Sequence, residues 1–260
     1  MALKHADNQV EIRHGAATDV GRVREVNEDA FLAAPPVFVV ADGMGGHEGG
    51  DVASAIVVEE FGRLATEGYD PRRGVEVVTD TLGACADRIR AYAATQRAEG
   101  VARGRSAGTT AVVALLVEDD DGAAAWLLAN LGDSRVYRYA GGRLDQVSVD
   151  HSLVQELVDS GQLAADEAAT HPERNVITRA LGESTSARPD FFVVPPVVGE
   201  RLLLCSDGVS GMVDDAGLAE ILSACADPRD AAEQLVAAAV AAGGEDNATA
   251  VVVDVVGGLP

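Results

Sequence analysis

Four aspartates, Asp42, Asp133, Asp207 and Asp246, each stand where an apolar run of the chain meets a turn. Val37-Phe38-Val39-Val40-Ala41 leads into Asp42-Gly43-Met44-Gly45-Gly46, and Trp126 to Leu131 leads into Gly132-Asp133. Leu202-Leu203-Leu204-Cys205 leads into Ser206-Asp207-Gly208, and Asp246-Asn247 opens the run Ala248 to Val253. Short unbroken apolar runs bounded by turn residues read as buried strands. Carboxylates at the ends of adjacent strands converge on one small volume, where repulsion raises their pKa values unless a cation lies between them. A hard divalent metal suits such all-oxygen donors.

At 260 residues and 47% hydrophobic, the chain suffices for one sizeable core, and a single domain over 1–260 is expected. A net charge of −22 excludes nucleic acid and anionic membrane surfaces as natural partners. Cys85, Cys205 and Cys225 are odd in number and widely spaced, which predicts reduced core residues. The N-terminus lacks a signal pattern and no apolar stretch approaches the roughly 18 residues of a membrane span. A cytoplasmic location is expected. The single lysine, Lys4, leaves no residue for a P-loop, kinase or Schiff-base lysine. A cysteine-nucleophile phosphatase needs an arginine in the loop after its cysteine, but Ala91, Gly211 and Ala231 occupy that position.

Periodicity predicts a strand over Val10–Thr18, another over Val37–Ala41, and helices carrying Ala53, Val57, Phe61, Leu64 and then Val75, Val78, Leu82, Cys85, Ile89, Tyr92. Gly108–Val117, Ala123–Leu131 and Ser134–Tyr139 read as a meander of strands. A short helix over Leu153–Asp159 precedes a polar stretch, 160–185, with another short helix near Asp166–Thr170; a stretch of that length is a functional flap or a disordered insertion. Strands at Phe191–Val194, Arg201–Cys205 and Ala248–Val256 and helices at Ala216–Ala224 and Pro228–Ala242 complete a layered α/β sandwich.

Seven motifs fall in one order: Arg24-Glu-Val-Asn27-Glu28-Asp29, Asp42-Gly43-Met44-Gly45-Gly46-His47, Ser106-Ala-Gly108-Thr109-Thr110, Asn130-Leu-Gly132-Asp133-Ser134-Arg135, Asp150-His151-Ser152, Ser206-Asp207-Gly208 and Gly244-Glu-Asp246-Asn247. In that order they resemble the metal-dependent protein phosphatases of type 2C, the PPM family, in its bacterial form. The resemblance spans Thr18 to Val253. It implies a four-layer α-β-β-α sandwich with two central, mainly antiparallel sheets and a flap over about 153–185. It also implies a protein serine/threonine phosphatase that hydrolyses phosphoserine and phosphothreonine with a metal-activated water at a binuclear Mn²⁺ or Mg²⁺ centre.

By the same resemblance Asp42 bridges two ions, Asp207 and Asp246 complete one shell, the Gly43 carbonyl completes the other, and Asp133 with Asp207 holds a weaker third ion. Arg24 grips the substrate phosphate, Glu28, Asp29 and Asn247 orient ligands from behind, and Gly45 and Gly46 let the backbone turn beneath the metals. The expected partners are phosphorylated proteins, a serine/threonine kinase among them. A catalytically weak regulatory or metal-binding module of the same fold is the alternative. Met44 stands where eukaryotic members carry a histidine proposed to protonate the leaving oxygen, and methionine cannot donate a proton. A metal-bound water, His47, His151 or His171 remains for that role.

Overall fold

The computed structural model describes residues 10–45, 49–99, 107–182 and 188–258. Along β3 (Val37–Met44) the side chains alternate between two different cores. Val37, Val39 and Ala41 pack with α1 (Gly50–Glu67) and α2 (Gly74–Ala98), whereas Phe38 and Val40 face a second sheet. Both faces are dry, so the strand needs no polar alternation.

The first sheet runs β2 (Asp29–Ala34), β3, β5 (Ala111–Glu118), β6 (Ala124–Leu131), β9 (Asp190–Val194), with the two-residue β4 (Gly108–Thr109) against β3. The second runs β1 (Glu11–Asp19), β11 (Ala248–Gly257), β10 (Arg201–Cys205), β7 (Arg135–Ala140), β8 (Arg143–Gln146). Neighbours in both are antiparallel. Leu203, Cys205 and Val252 pack outward under α5 (Asp207–Ser210), α6 (Asp215–Ala224) and α7 (Pro228–Ala242), while Leu202, Leu204, Val251 and Val253 face the first sheet. The layers are therefore helix, sheet, sheet, helix. Asp227 accepts a hydrogen bond from the Arg229 amide at the start of α7, with Pro228 in its first turn, the N-terminal signals expected of a helix. The three cysteines are buried and unpaired.

The expected meander is corrected. β5 and β6 form a hairpin, but the chain changes sheets at Gly132–Asp133, and β7 pairs with β8 and β10. Gly108–Val117 is likewise broken at Thr110 into β4 and β5, and Val75 is half exposed rather than in the helical stripe. β3 also runs past Asp42 to Met44, so that aspartate lies within the strand. The stretch after Asp150 holds α3 (Leu153–Asp159) and α4 (Ala165–Ala168). Its returning limb is stitched back by the Ser152–Ile177 and Thr109–Leu181 bridges.

A buried ion pair ties the second sheet to its helices. Arg201 donates through Nε and Nη2 to both oxygens of Asp254, at 2.6 and 2.8 Å, and through Nη1 to the carbonyls of Leu222 and Cys225 at the end of α6. Arg201→Leu leaves a buried carboxylate and two carbonyls without their donor, and should cost about 3–5 kcal/mol in urea unfolding. A loss under about 1 kcal/mol would show that water takes over the role of the guanidinium.

Candidate metal centre

Strand period carries the inter-sheet face beyond its last apolar residues into a polar layer at one edge of the seam. Two residues past Val40, Leu128 and Leu204 stand Asp42, Asn130 and Ser206, and on the opposite-running strands Asp29, Thr110, Ser134 and Thr249 precede Phe31, Val112, Val136 and Val251 by two. The layer is knit across strands by Thr18–Thr249, Thr110–Ser134 and Ser206–Asp29 hydrogen bonds, each 2.7 Å.

The aspartates come to this edge from both sheets, not from the ends of adjacent strands alone. Asp42 lies on β3 with Asp29 directly across on β2. Asp207 opens α5 immediately after β10, Asp246 lies just before β11, and Asp133 sits in the crossover from β6 to β7. Burial first, then the fields of Asp29, Asp207, Asp133 and Asp246, holds Asp42 well above the usual carboxylate range. Burial, reinforced by Asp207, raises Asp29 to about 7 and Asp133 to about 8. Asp207 is raised by burial and by Asp246.

These groups fit a hard cation. Asp29 Oδ1, Asp133 Oδ1 and Asp207 Oδ1 are buried acceptors without a hydrogen-bond partner, and an orphaned carboxylate oxygen is costly unless a positive charge or a proton meets it. Among the described residues no three His, Cys, Asp or Glu side chains stand as a ready-made cage.

The backbone at Asp42 is fixed from both sides. The Asp42 N–H donates to Thr110 Oγ1 at 3.0 Å, and the Asp42 carbonyl accepts from the Thr110 N–H and from Thr109 Oγ1, both at 2.9 Å. Gly43 donates its amide to the Glu28 carbonyl at 3.1 Å. A Cβ at Gly43 would lie 2.3 Å from the Gly50 carbonyl oxygen and 2.4 Å from that of Glu28, so the backbone passes closely here and only glycine fits. Gly46, His47 and Ser106 lie outside the described residues.

Arg24 donates through Nη2 to Asp246 Oδ2 at 2.6 Å and is half exposed, and a guanidinium carries further N–H donors beyond that one. Asn247 uses its whole amide: Nδ2 donates to the carbonyls of Val20 and Val26, each at 3.0 Å, and Oδ1 accepts the Glu28 amide at 2.8 Å. The side chain after Asp246 thereby brackets the loop that carries Arg24. Ser206 holds Asp29 Oδ2 and accepts the Thr249 amide at 3.0 Å.

His151 is buried with both ring nitrogens engaged, Nδ1 by the Gly132 amide at 3.1 Å and Nε2 beside Asp190 Oδ2 at 3.1 Å. It is not presented to the aspartates as a proton donor. His171 Nδ1 accepts the Glu173 amide within its own turn. Sequence reasoning passed over Thr18, Ser134, Ser206 and Thr249 as members of the layer; the readable signal is a hydroxyl two residues from the apolar end of each run.

A Protein phosphatase 2C family model matches residues 21–241. Serine/threonine phosphatase stp of Listeria innocua is 36% identical over 245 residues, covering 91% of this chain and 93% of that protein. Serine/threonine protein phosphatase PstP of Mycobacterium tuberculosis is 36% identical over 94% of this chain, which spans 45% of PstP's length. Among solved structures, that of Mycobacterium tuberculosis PstP/Ppp superposes with TM-score 0.83 at 34% identity, covering 95% of this chain and 99% of that one. A PstP catalytic domain in complex with two manganese ions superposes with TM-score 0.82 at 33% identity, over 95% and 99%.

Raised carboxylate pKa values in the folded, metal-free protein mean that Asp29 and Asp133 stabilise it fully below the ordinary carboxylate range and lose that contribution as pH rises through about 7 and 8. Manganese uptake near neutral pH should therefore release protons, read by calorimetry in buffers of differing ionisation heat. Heats independent of the buffer would overturn this assignment.

Proposed function

The chain belongs to the protein phosphatase 2C family and is a serine/threonine protein phosphatase, and from that premise we propose that it works through two manganese or magnesium ions. Asp42, the Gly43 carbonyl, Asp207 and Asp246 hold them, and Asp133 with Asp207 holds a weaker third. The gathering of buried, partnerless Asp133 and Asp207 oxygens around the raised Asp42 carries this reading, supported by the relative crystallised with two manganese ions. Bound there, the ions supply Lewis-acid charge and an activated water.

The chain's own residues set the geometry for in-line displacement. Arg24 offers its remaining N–H groups to two phosphate oxygens, with Asp246 fixing the guanidinium from behind. Asn247 keeps the Arg24 loop in register with the Asp246 turn. Thr109 and Thr110 immobilise the Asp42 backbone, so that its carboxylate is aimed before substrate arrives. Asp29, held by Ser206 and Asn27-flanked β2, and Glu28, tied to Asn247 and Gly43, orient the ligands from behind. The substrates are phosphorylated proteins, and the proposal extends to a serine/threonine kinase in the cytoplasm. No helix among the described residues is long and apolar enough to cross a membrane.

Protein dialysed against chelator should hydrolyse a phosphopeptide only after manganese or magnesium is restored, and Asp42→Asn should stay nearly inactive with either. Full turnover in excess chelator excludes the metal reading. Arg24→Ala should lower kcat/KM on phosphopeptides about ten- to hundredfold, the worth of a charge-assisted hydrogen bond, with manganese affinity kept within about threefold. An unchanged kcat/KM removes Arg24 from the phosphate site.

A further inference from the structure

We propose that His151 is a positioning residue: its imidazole links the Gly132–Asp133 crossover to Asp190 at the start of β9, the carboxylate that holds Arg179 of the flap's returning limb, and so couples crossover and flap. The inference rests on the phosphatase reading above, since it concerns how the flap of that site communicates with Asp133.

His151 makes its bonds in two directions. Toward the crossover, its amide donates to the Gly132 carbonyl at 2.9 Å and its Nδ1 accepts the Gly132 amide at 3.1 Å. Gly132 adopts φ +118, and a Cβ there would lie 2.6 Å from Thr110 Cβ, so the turn is confined by close packing as well. Toward the flap, the His151 backbone carbonyl accepts the Thr178 amide at 2.8 Å, and toward β9 the ring Nε2 meets Asp190 Oδ2 at 3.1 Å. Asp190 Oδ1 in turn accepts from Arg179 Nη1 at 3.2 Å.

Chemistry then assigns the ring proton. An Nδ1 that accepts an amide proton carries none, so the neutral ring bears its hydrogen on Nε2, directed at Asp190. Arg179 Nη1 also lies 3.1 Å from Nε2, but both are donors, so the carboxylate of Asp190 is their shared acceptor. The same limb reaches Asp42 by a second route: Leu181 and Thr109 exchange backbone hydrogen bonds of 2.9 and 3.1 Å, and Thr109 Oγ1 donates to the Asp42 carbonyl. His151 is the connection that serves Asp133, and a shift of residues 176–181 on substrate contact is passed through it to the crossover.

The ring has two ends that different amides can imitate, asparagine the Nδ1 end and glutamine the Nε2 end. His151→Asn should keep the Gly132 amide protected from hydrogen exchange and lose protection in 176–181. His151→Gln should do the opposite. On a phosphopeptide, His151→Asn should raise KM about three- to tenfold with kcat little changed, whereas His151→Gln should lower kcat by a similar factor, the scale of one hydrogen bond. Asp190→Asn, which leaves the histidine in place, should reproduce the asparagine pattern. Loss of protection at both ends in every variant, or at neither, overturns the two-ended role. Should the histidine variants not fold, the ring nitrogen shifts of the unaltered protein decide, since a proton on Nδ1 refutes the arrangement and one on Nε2 supports it. Manganese-dependent turnover of the unaltered protein checks the phosphatase reading separately.

Discussion

Burial of Asp29, Asp42, Asp133 and Asp207 at one edge, with their mutual repulsion and the field of Asp246 added, is the constraint around which the rest of this molecule is arranged. Loss of water and neighbouring charge both oppose ionised carboxylates at such an edge, and nothing about their own chemistry keeps them there. The scaffold holds them through neutral partners: Thr110 and Thr109 on the Asp42 backbone, Ser206 on Asp29, Asn247 on the Asp246 turn. The outer helices bury the far faces of both sheets, and thus supply the hydrophobic free energy that offsets a destabilised edge.

The inter-sheet seam explains why the polar edge is so well ordered. Apolar side chains from both sheets fill it as far as Val40, Val112, Leu128 and Leu204, and the next inward-facing position on each strand is a hydroxyl, amide or carboxylate. One strand step converts a dry core into a hydrogen-bonding layer. Because antiparallel pairing fixes register residue by residue, Asp29 cannot leave the side of Asp42, nor Thr18 that of Thr249, without unpairing a strand. Arg24 joins this edge from the exposed loop between β1 and β2, held at both ends by a single amide side chain. The flap joins it through backbone bridges at Thr109 and Ser152.

Much of the architecture was legible in the chain. Arg201–Cys205 and Pro228–Ala242 have the expected limits because one is an unbroken apolar run and the other starts at Asp227-Pro228 and ends at Gly243. β2 was not read, since Asp29-Ala-Phe-Leu-Ala-Ala has few β-branched residues and becomes a strand by pairing with β3. β8 was missed for the same reason, a four-residue edge strand that is polar at three positions. The sheet exchange at Gly132–Asp133 was read as a meander because a break between two apolar runs looks alike whether the next strand pairs beside the last or across the sandwich.

The resemblance carried by the motif order implied the metal-phosphatase reading and the role of Arg24, while composition set aside lysine-based chemistry and run ends pointed to the aspartates, because these depend on which functional groups exist and where runs end. Tertiary structure decided which carboxylates face one another, that Asn247 brackets the Arg24 loop, that the backbones of Glu28 and Gly50 close on Gly43, and that His151 faces Gly132 and Asp190. These are contacts between residues up to 227 positions apart in the chain. Local periodicity carries no information about them; they exist only once two sheets are stacked in a particular register.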